Sequence, residues 1–201
     1  TAAAGFSNTA AVTIAGVETI NITTNDTSST ATAFGAEITA TSAVTVNVSG
    51  DAGFNAGSGL SATTLTTFDA SGVTATGAGG AVTLTTGVLV ASATLTGGAG
   101  TNVIDASAVT STTKVMTITG GAGLDTLTGG AGPDVISGGA GGTTGTGLDG
   151  GAGNDIITGG TGNDTIDGGT GNDTITASAG NNTVVGDTGN DIITTGAGND
   201  I

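Results

Sequence analysis

Residues 150–176 read GGAGNDIIT, GGTGNDTID, GGTGNDTIT, three nine-residue units in succession with no slip of register. Each unit has Gly at positions one, two and four, Asp at six and Ile at eight. A flexible glycine-rich linker would not hold Asp and Ile at constant offsets, so the fixed period marks a solenoid. Nine residues suffice for a six-residue turn and a three-residue strand, and two units close one coil of eighteen. Glycine permits the positive φ and the close approach of backbones that so tight a turn requires. Ile or Leu at position eight points inward from the short strand, while positions seven and nine point out. Asp at six therefore lands in every turn, and the turns on one side stack on those one coil away.

That stacking is unfavourable by itself. Adjacent coils lie about 4.8 Å apart, where two like charges repel by roughly 0.9 kcal/mol in water and several times more near a protein surface. One buried aliphatic per unit contributes roughly 1.5–3 kcal/mol, against about 1–2 kcal/mol of backbone entropy for each of nine residues. Strand hydrogen bonds add little net stability. A counter-charge must neutralise the aspartates and tie the turns together. Ligands that are oxygen only, carboxylate plus backbone carbonyl, select a hard cation of flexible geometry, calcium before magnesium. Folding and the binding of several Ca2+ ions are then one equilibrium, with the metal-free segment largely disordered.

Working outward, the first recognisable unit is GGAGTNVID at 97–105, with Asn102 in the Asp position. A fourteen-residue interlude containing Lys114 and Val115-Met116-Thr117-Ile118 precedes GGAGLDTLT from Gly120 and GGAGPDVIS from Gly129. Pro133 falls in a turn, where a missing N–H is tolerable. Residues 138–149 begin as a repeat but run to twelve residues, which predicts a bulge or loop with Asp149 taking the ligand role. ASAGNNTVV from Ala177 is degenerate, and GDTGNDIIT from Gly186 nearly regular. Alternate units form one side of the coil. Asp155, Asp173 and Asp191 make an unbroken ladder, whereas Asp164, Asn182 and Asp200 include a neutral rung. The first ladder is expected to hold its ions more firmly, with the sites near Asn182 partial or empty.

Residues 1–96 lack the nonapeptide but alternate branched apolar with polar residues, the pattern of half-buried strands. Such runs are Val12 to Ile14, Val17 to Ile22, Val44 to Val48, Leu65 to Phe68, Val82 to Leu84, Val88 to Val90 and Ala93 to Leu95. Phe68-Asp69-Ala70-Ser71-Gly72-Val73-Thr74 is echoed by Ile104-Asp105-Ala106-Ser107-Ala108-Val109-Thr110. The offset of 36, two coils of eighteen, suggests that the N-terminal half is also a parallel β-helix, with degenerate rungs that need less calcium. The whole chain is thus expected to be all-β, a right-handed parallel β-helix or β-roll solenoid that calcium stabilises in its C-terminal half. Its two parts are a Thr/Ala-rich degenerate β-helix at 1–96 and a continuous repeat region at 97–201.

Composition closes off several functions. The 201 residues carry a net charge of −15, with one Lys, no Arg and no His. No cationic surface exists to meet phosphates, so neither nucleic acid nor an anionic membrane is an expected partner. Eleven of the fourteen Asp lie from Asp105 onward, which marks the acidity as ligand charge. No apolar run approaches transmembrane length. The absence of Cys rules out disulfides and thiolate metal sites. Ser and Thr have no His or Cys beside them to act as base or nucleophile. Four Phe, with no Trp or Tyr, leave few platforms for sugar. An enzyme is not expected. The sequence stops partway through a unit and reads as a fragment.

The quoted units resemble the RTX family, whose repeat is GGxGxDxUx, over 120–137 and 150–201, with a weaker match at 97–105. That resemblance implies secretion from Gram-negative bacteria, usually by a type I system, and calcium-triggered folding outside the cell. It also implies ligands: the position-six carboxylate, with backbone carbonyls from positions one and three and from the neighbouring turn. Carried over, these are the carboxylates of Asp125, Asp134, Asp155, Asp164, Asp173, Asp191 and Asp200. The matching carbonyls include those of Gly150, Ala152, Gly159, Thr161, Gly168 and Thr170. Asn102, Asn182, Ala177, Ser178, Asp187 and Thr195 depart from the pattern. The Thr/Ala-rich N-terminal strands feeding into GGAG repeats are similar to RTX-type bacterial S-layer proteins. The expectation is a non-catalytic, calcium-dependent structural protein of the cell surface, self-associating into a lattice or fibre, with any polysaccharide anchor outside this fragment. The alternatives are an adhesin stalk, or the secretion and folding module of a toxin or exoenzyme. Flanking sequence separates them.

Overall fold

Short runs of Thr, Val, Ile and Leu, interrupted every few residues by glycine, can form only short strands, and they do. The computed structural model describes residues 12–25, 34–35, 38–57, 60–140 and 145–201. Every strand pair in register among them is parallel. One sheet of nine strands stacks Thr19–Thr24, Thr45–Gly50, Thr67–Val73, Ala93–Thr96, Met116–Thr119, Val135–Ser137, Ile156–Thr161, Thr174–Ala179 and Ile192–Thr194. A second, of eight, stacks Phe34–Gly35, Phe54–Gly57, Val82–Thr85, Val103–Asp105, Thr126–Thr128, Gly147–Asp149, Thr165–Asp167 and Thr183–Val185. The chain is an all-β parallel solenoid, and successive strands alternate between the two sheets from Val82 onward. Among the described residues a third, three-stranded sheet of Val12–Thr13, Ile38–Thr39 and Leu60–Ser61 accompanies the first rungs.

The core lies between the two large sheets and follows the period of two within each strand. On one sheet Val46, Phe68, Leu95, Ile118, Ile136, Ile157 and Ile175 stack in register, all buried. Facing them, Leu84, Ile104, Leu127, Leu148 and Ile166 form the second buried column. The N-terminal rungs are thicker, with Phe54, Leu65 and Phe68 buried, and in the repeats one aliphatic per strand suffices. A single core cluster runs through both regions.

Two expectations change. Val88 and Val90 are exposed and Val88-Leu89-Val90 forms no strand; only Leu89 turns inward, while the Val90 N–H donates to the Thr63 carbonyl at 2.9 Å. The echoed phrases at Phe68 and Ile104 do not stack on one another, because Phe68 belongs to the nine-stranded sheet and Ile104 to the eight-stranded one. Rungs here are longer than eighteen residues, Phe68 pairing with Leu95 and Leu95 with Ile118, so an offset of 36 reaches the opposite sheet. What repeats is a corner. The Ser71 and Ser107 N–H groups each donate to the Oδ1 of the Asp two residues earlier at 2.9 Å, and Ala70 and Ala106 are buried behind. The extra length of the 138–149 unit falls on residues 141–144, outside the described residues.

Candidate metal centre

Each nonapeptide turn brings its position-six side chain under the backbone of the turn before it. The Asp134 N–H donates to Asp155 Oδ1 at 2.6 Å, the Asp155 N–H to Asp173 Oδ1 at 2.8 Å, and the Asp173 N–H to Asp191 Oδ1 at 3.0 Å. This column is acidic from Asp134 to Asp191. Its neighbour on the N-terminal side is Met116, buried, whose N–H reaches Asp134 Oδ1 at 2.7 Å. On the other edge the same contacts link Asn102 to Asp125, Thr146 to Asp164, Asp164 to Asn182 and Asn182 to Asp200. The Gly147 N–H donates to the Asp125 carbonyl, which sets Thr146 directly after Asp125. This second column alternates neutral and acidic residues throughout: Asn102, Asp125, Thr146, Asp164, Asn182, Asp200.

One oxygen of each carboxylate is thus committed to backbone. The Oδ2 atoms of Asp125, Asp155, Asp164 and Asp173 are buried without a hydrogen-bond partner. A buried carboxylate oxygen left unpaired is strongly unfavourable. Asp134 differs, its Oδ2 accepting the Gly130 N–H. The orphaned oxygens face the position-one glycines. A methyl built on Gly150 would stand 2.5 Å from Asp155 Oδ2 and against the Gly168 carbonyl oxygen. At Gly159 it would meet Asp164 Oδ2 at 2.5 Å and the Ala177 carbonyl at 2.6 Å. At Gly168 it would meet Asp173 Oδ2 at 2.6 Å and the Gly186 carbonyl at 2.9 Å. Each turn therefore presents a carboxylate oxygen and a carbonyl oxygen of the next rung converging on glycine-lined space. Among the described residues no three acidic side chains gather as a metal cluster. The donors here are one carboxylate per turn and main-chain carbonyls, a hard oxygen set that fits calcium. Calcium bound there would neutralise the column and link adjacent turns.

Electrostatics points the same way. Burial pushes the Asp155 carboxyl up to about 7, helped by Asp134, Asp173 and Asp149 and opposed by the Asp134 N–H. Burial also raises Asp125 to about 6, against hydrogen bonds from Asn102, and raises Asp134 and Asp173. Without a cation these turns resist ionisation.

Of the carbonyl positions, those of Gly150, Gly159 and Gly168 face the position-one glycine of the preceding rung on their edge, Gly129, Gly138 and Gly150. Ala152 bridges Thr170, and Thr161 bridges Ala140, at position three; the Thr170 carbonyl accepts the Gly153 N–H at 2.8 Å. Asp149 is not brought to a turn. It pairs in register with Thr128 and Asp167, which is position nine, and points outward with Asp167 and Asp105. Thr146 takes position six instead, because the unit's additional residues precede it. Its Oγ1 donates to Asp164 Oδ1 at 3.0 Å. A shift counted back from the strand residue Leu148 rather than forward from Gly138 would have found it.

The turn of Asn182 departs twice. Position six is a neutral amide, and position one is Ala177, fully buried, where the turns of Asp155, Asp164 and Asp173 have Gly150, Gly159 and Gly168. Residues 117–144, 148–175 and 176–201 match the family model of the RTX calcium-binding nonapeptide repeat, four copies. No curated protein and no solved structure matches the chain. The stretches similar to RTX calcium-binding nonapeptide repeats are the ones that carry the carboxylate columns from Asp125 to Asp200.

Proposed function

We propose that the chain is a non-catalytic structural segment of a secreted, cell-surface protein: a rod set by calcium and joined by calcium to its neighbours in a surface layer or fibre. The observation that carries the assembly reading is a third line of acid, on the outside. Asp105, Asp149 and Asp167 share one outward column of the eight-stranded sheet, with Thr128 between the first two. Burial, then Asp167 and Asp105, raises the Asp149 carboxyl. At −15 with a single Lys, rods of this kind repel one another until divalent ions bridge them. A non-catalytic role is supported by the lack of His and Cys and by turn carboxylates whose Oδ1 atoms are held by backbone N–H groups.

Electron microscopy and sedimentation of the purified chain, before and after calcium, test the reading. Sheets or fibres should form with calcium and disperse with chelator. Folded monomers at high protein and calcium concentration would overturn assembly and favour a stalk.

A further inference from the structure

We infer that the side-chain amide of Asn102 fills the first repeat turn in place of a cation, so that the calcium array starts one turn later, at Asp125. The inference rests on the reading of these turns as calcium sites. Asn102 is fully buried, and its Nδ2 sits among four oxygens. It donates to the Gly100 carbonyl at 2.8 Å, Asp125 Oδ1 at 2.8 Å, the Gly120 carbonyl at 3.0 Å and the Gly98 carbonyl at 3.2 Å. Those are two carbonyls of its own turn, one carbonyl of the next, and a carboxylate, the same oxygen classes that converge in the acidic turns. A positively polarised NH2 group has only two protons for them, so the contacts are shared, as contacts around an ion are. The amide oxygen is engaged as well, accepting the Gly98 N–H at 3.2 Å and the Val82 N–H at 3.3 Å. Reversing the amide would aim its oxygen at four others.

The turn itself is otherwise complete. It keeps Gly97, Gly98 and Gly100, and a methyl on Gly97 would strike the Asn102 amide carbon at 2.8 Å. Asn182 is the useful contrast. Its Nδ2 reaches only the Gly180 and Thr195 carbonyls, both at 3.4 Å, touches no carboxylate, and belongs to the turn with Ala177 at position one. The two asparagines are one substitution with two outcomes: one replaces the ion, the other does not. On the other edge the acidic column also stops at this level, against buried Met116. The repeats thus begin on a rung that needs no metal, set against the apolar N-terminal coils. Calcium-dependent rungs can be added to it in turn.

The test is a single exchange, Asn102→Asp, in the full chain, with Asn102→Ala beside it. Bound calcium is counted after dialysis, and hydrogen exchange at the Asn102 amide, held by Asp125 Oδ1 at 2.8 Å, is followed in chelator and in calcium. Asn102→Asp should bind one more ion than the wild type. In chelator its amide should exchange at least roughly tenfold faster, with protection restored by calcium. Asn102→Ala should lose protection in both conditions and gain no ion. If the wild type binds several ions and Asn102→Asp gains none, the inference falls while the calcium reading stands. A wild type that binds no calcium at all would overturn both.

Discussion

At the scale of single residues, the position-one glycine decides as much as the aspartate. Gly150 is the space between Asp155 Oδ2 and the Gly168 carbonyl, so Gly150→Ala should displace one ion without changing any charge. Ion counting by dialysis checks this, and an unchanged count would show that the cradle lies elsewhere. Position two asks for left-handed backbone, which Gly151, Gly160 and Gly169 adopt at φ of 94°, 106° and 89°. Ser178 holds φ 74° and Asp187 φ 62° in the same place. Relief of the Cβ clash is worth about 1–2 kcal/mol, and the added freedom of the unfolded chain returns about 0.4–1 kcal/mol. Ser178→Gly should therefore stabilise the calcium-loaded protein by roughly 0.5–1 kcal/mol, read as a rise in melting temperature of a few degrees. A fall would mean that the serine hydroxyl holds the turn. Asp, Ile and Gly at fixed offsets made the turn, its inward residue and its carboxylate column legible from sequence. The role of Asn102 was not, because it depends on which oxygens surround the amide, and Thr146 becomes legible only when the long unit is counted back from Leu148.

At the scale of rungs, the two edges and the two ends should behave differently. Asp134 to Asp191 is an unrelieved acidic column, whereas every second rung of the other edge is neutral. Among the described residues the N-terminal rungs show no such column and bury Phe54, Leu65, Phe68, Leu84 and Leu95 instead. In chelator, hydrogen exchange should stay slow in Thr67–Val73, Val82–Thr85 and Ala93–Thr96 while Ile156–Thr161 and Thr174–Ala179 become fast. Uniform loss of protection along the chain would argue that the rod has a single cooperative unit. The strand alternation in residues 17–22 and 44–48 announced these early rungs. Their stacking was hidden, because rung length varies there, and the 36-residue echo proved to be a repeated corner on opposite sheets.

At the scale of the molecule, the columns tie stability to pH in opposite directions with and without calcium. Asp155 titrates near 7 in the folded, metal-free chain and near its ordinary 3.8 when unfolded, and Asp125 near 6. Between those values the folded chain holds protons that the unfolded chain has released. Its stability therefore declines as pH rises from about 4 to about 7, then levels off once both states are ionised. In chelator the rod should be more ordered at pH 5 than at pH 8. With calcium the sign reverses, because the ion needs the ionised carboxylate and protons compete with it. The loaded rod should melt higher at pH 8 than at pH 5. Circular dichroism melts at the two pH values, each with calcium and with chelator, give four curves. The two pairs must order oppositely. If both pairs shift the same way, the buried carboxylates of Asp125, Asp155 and Asp173 are not what couples this fold to its metal.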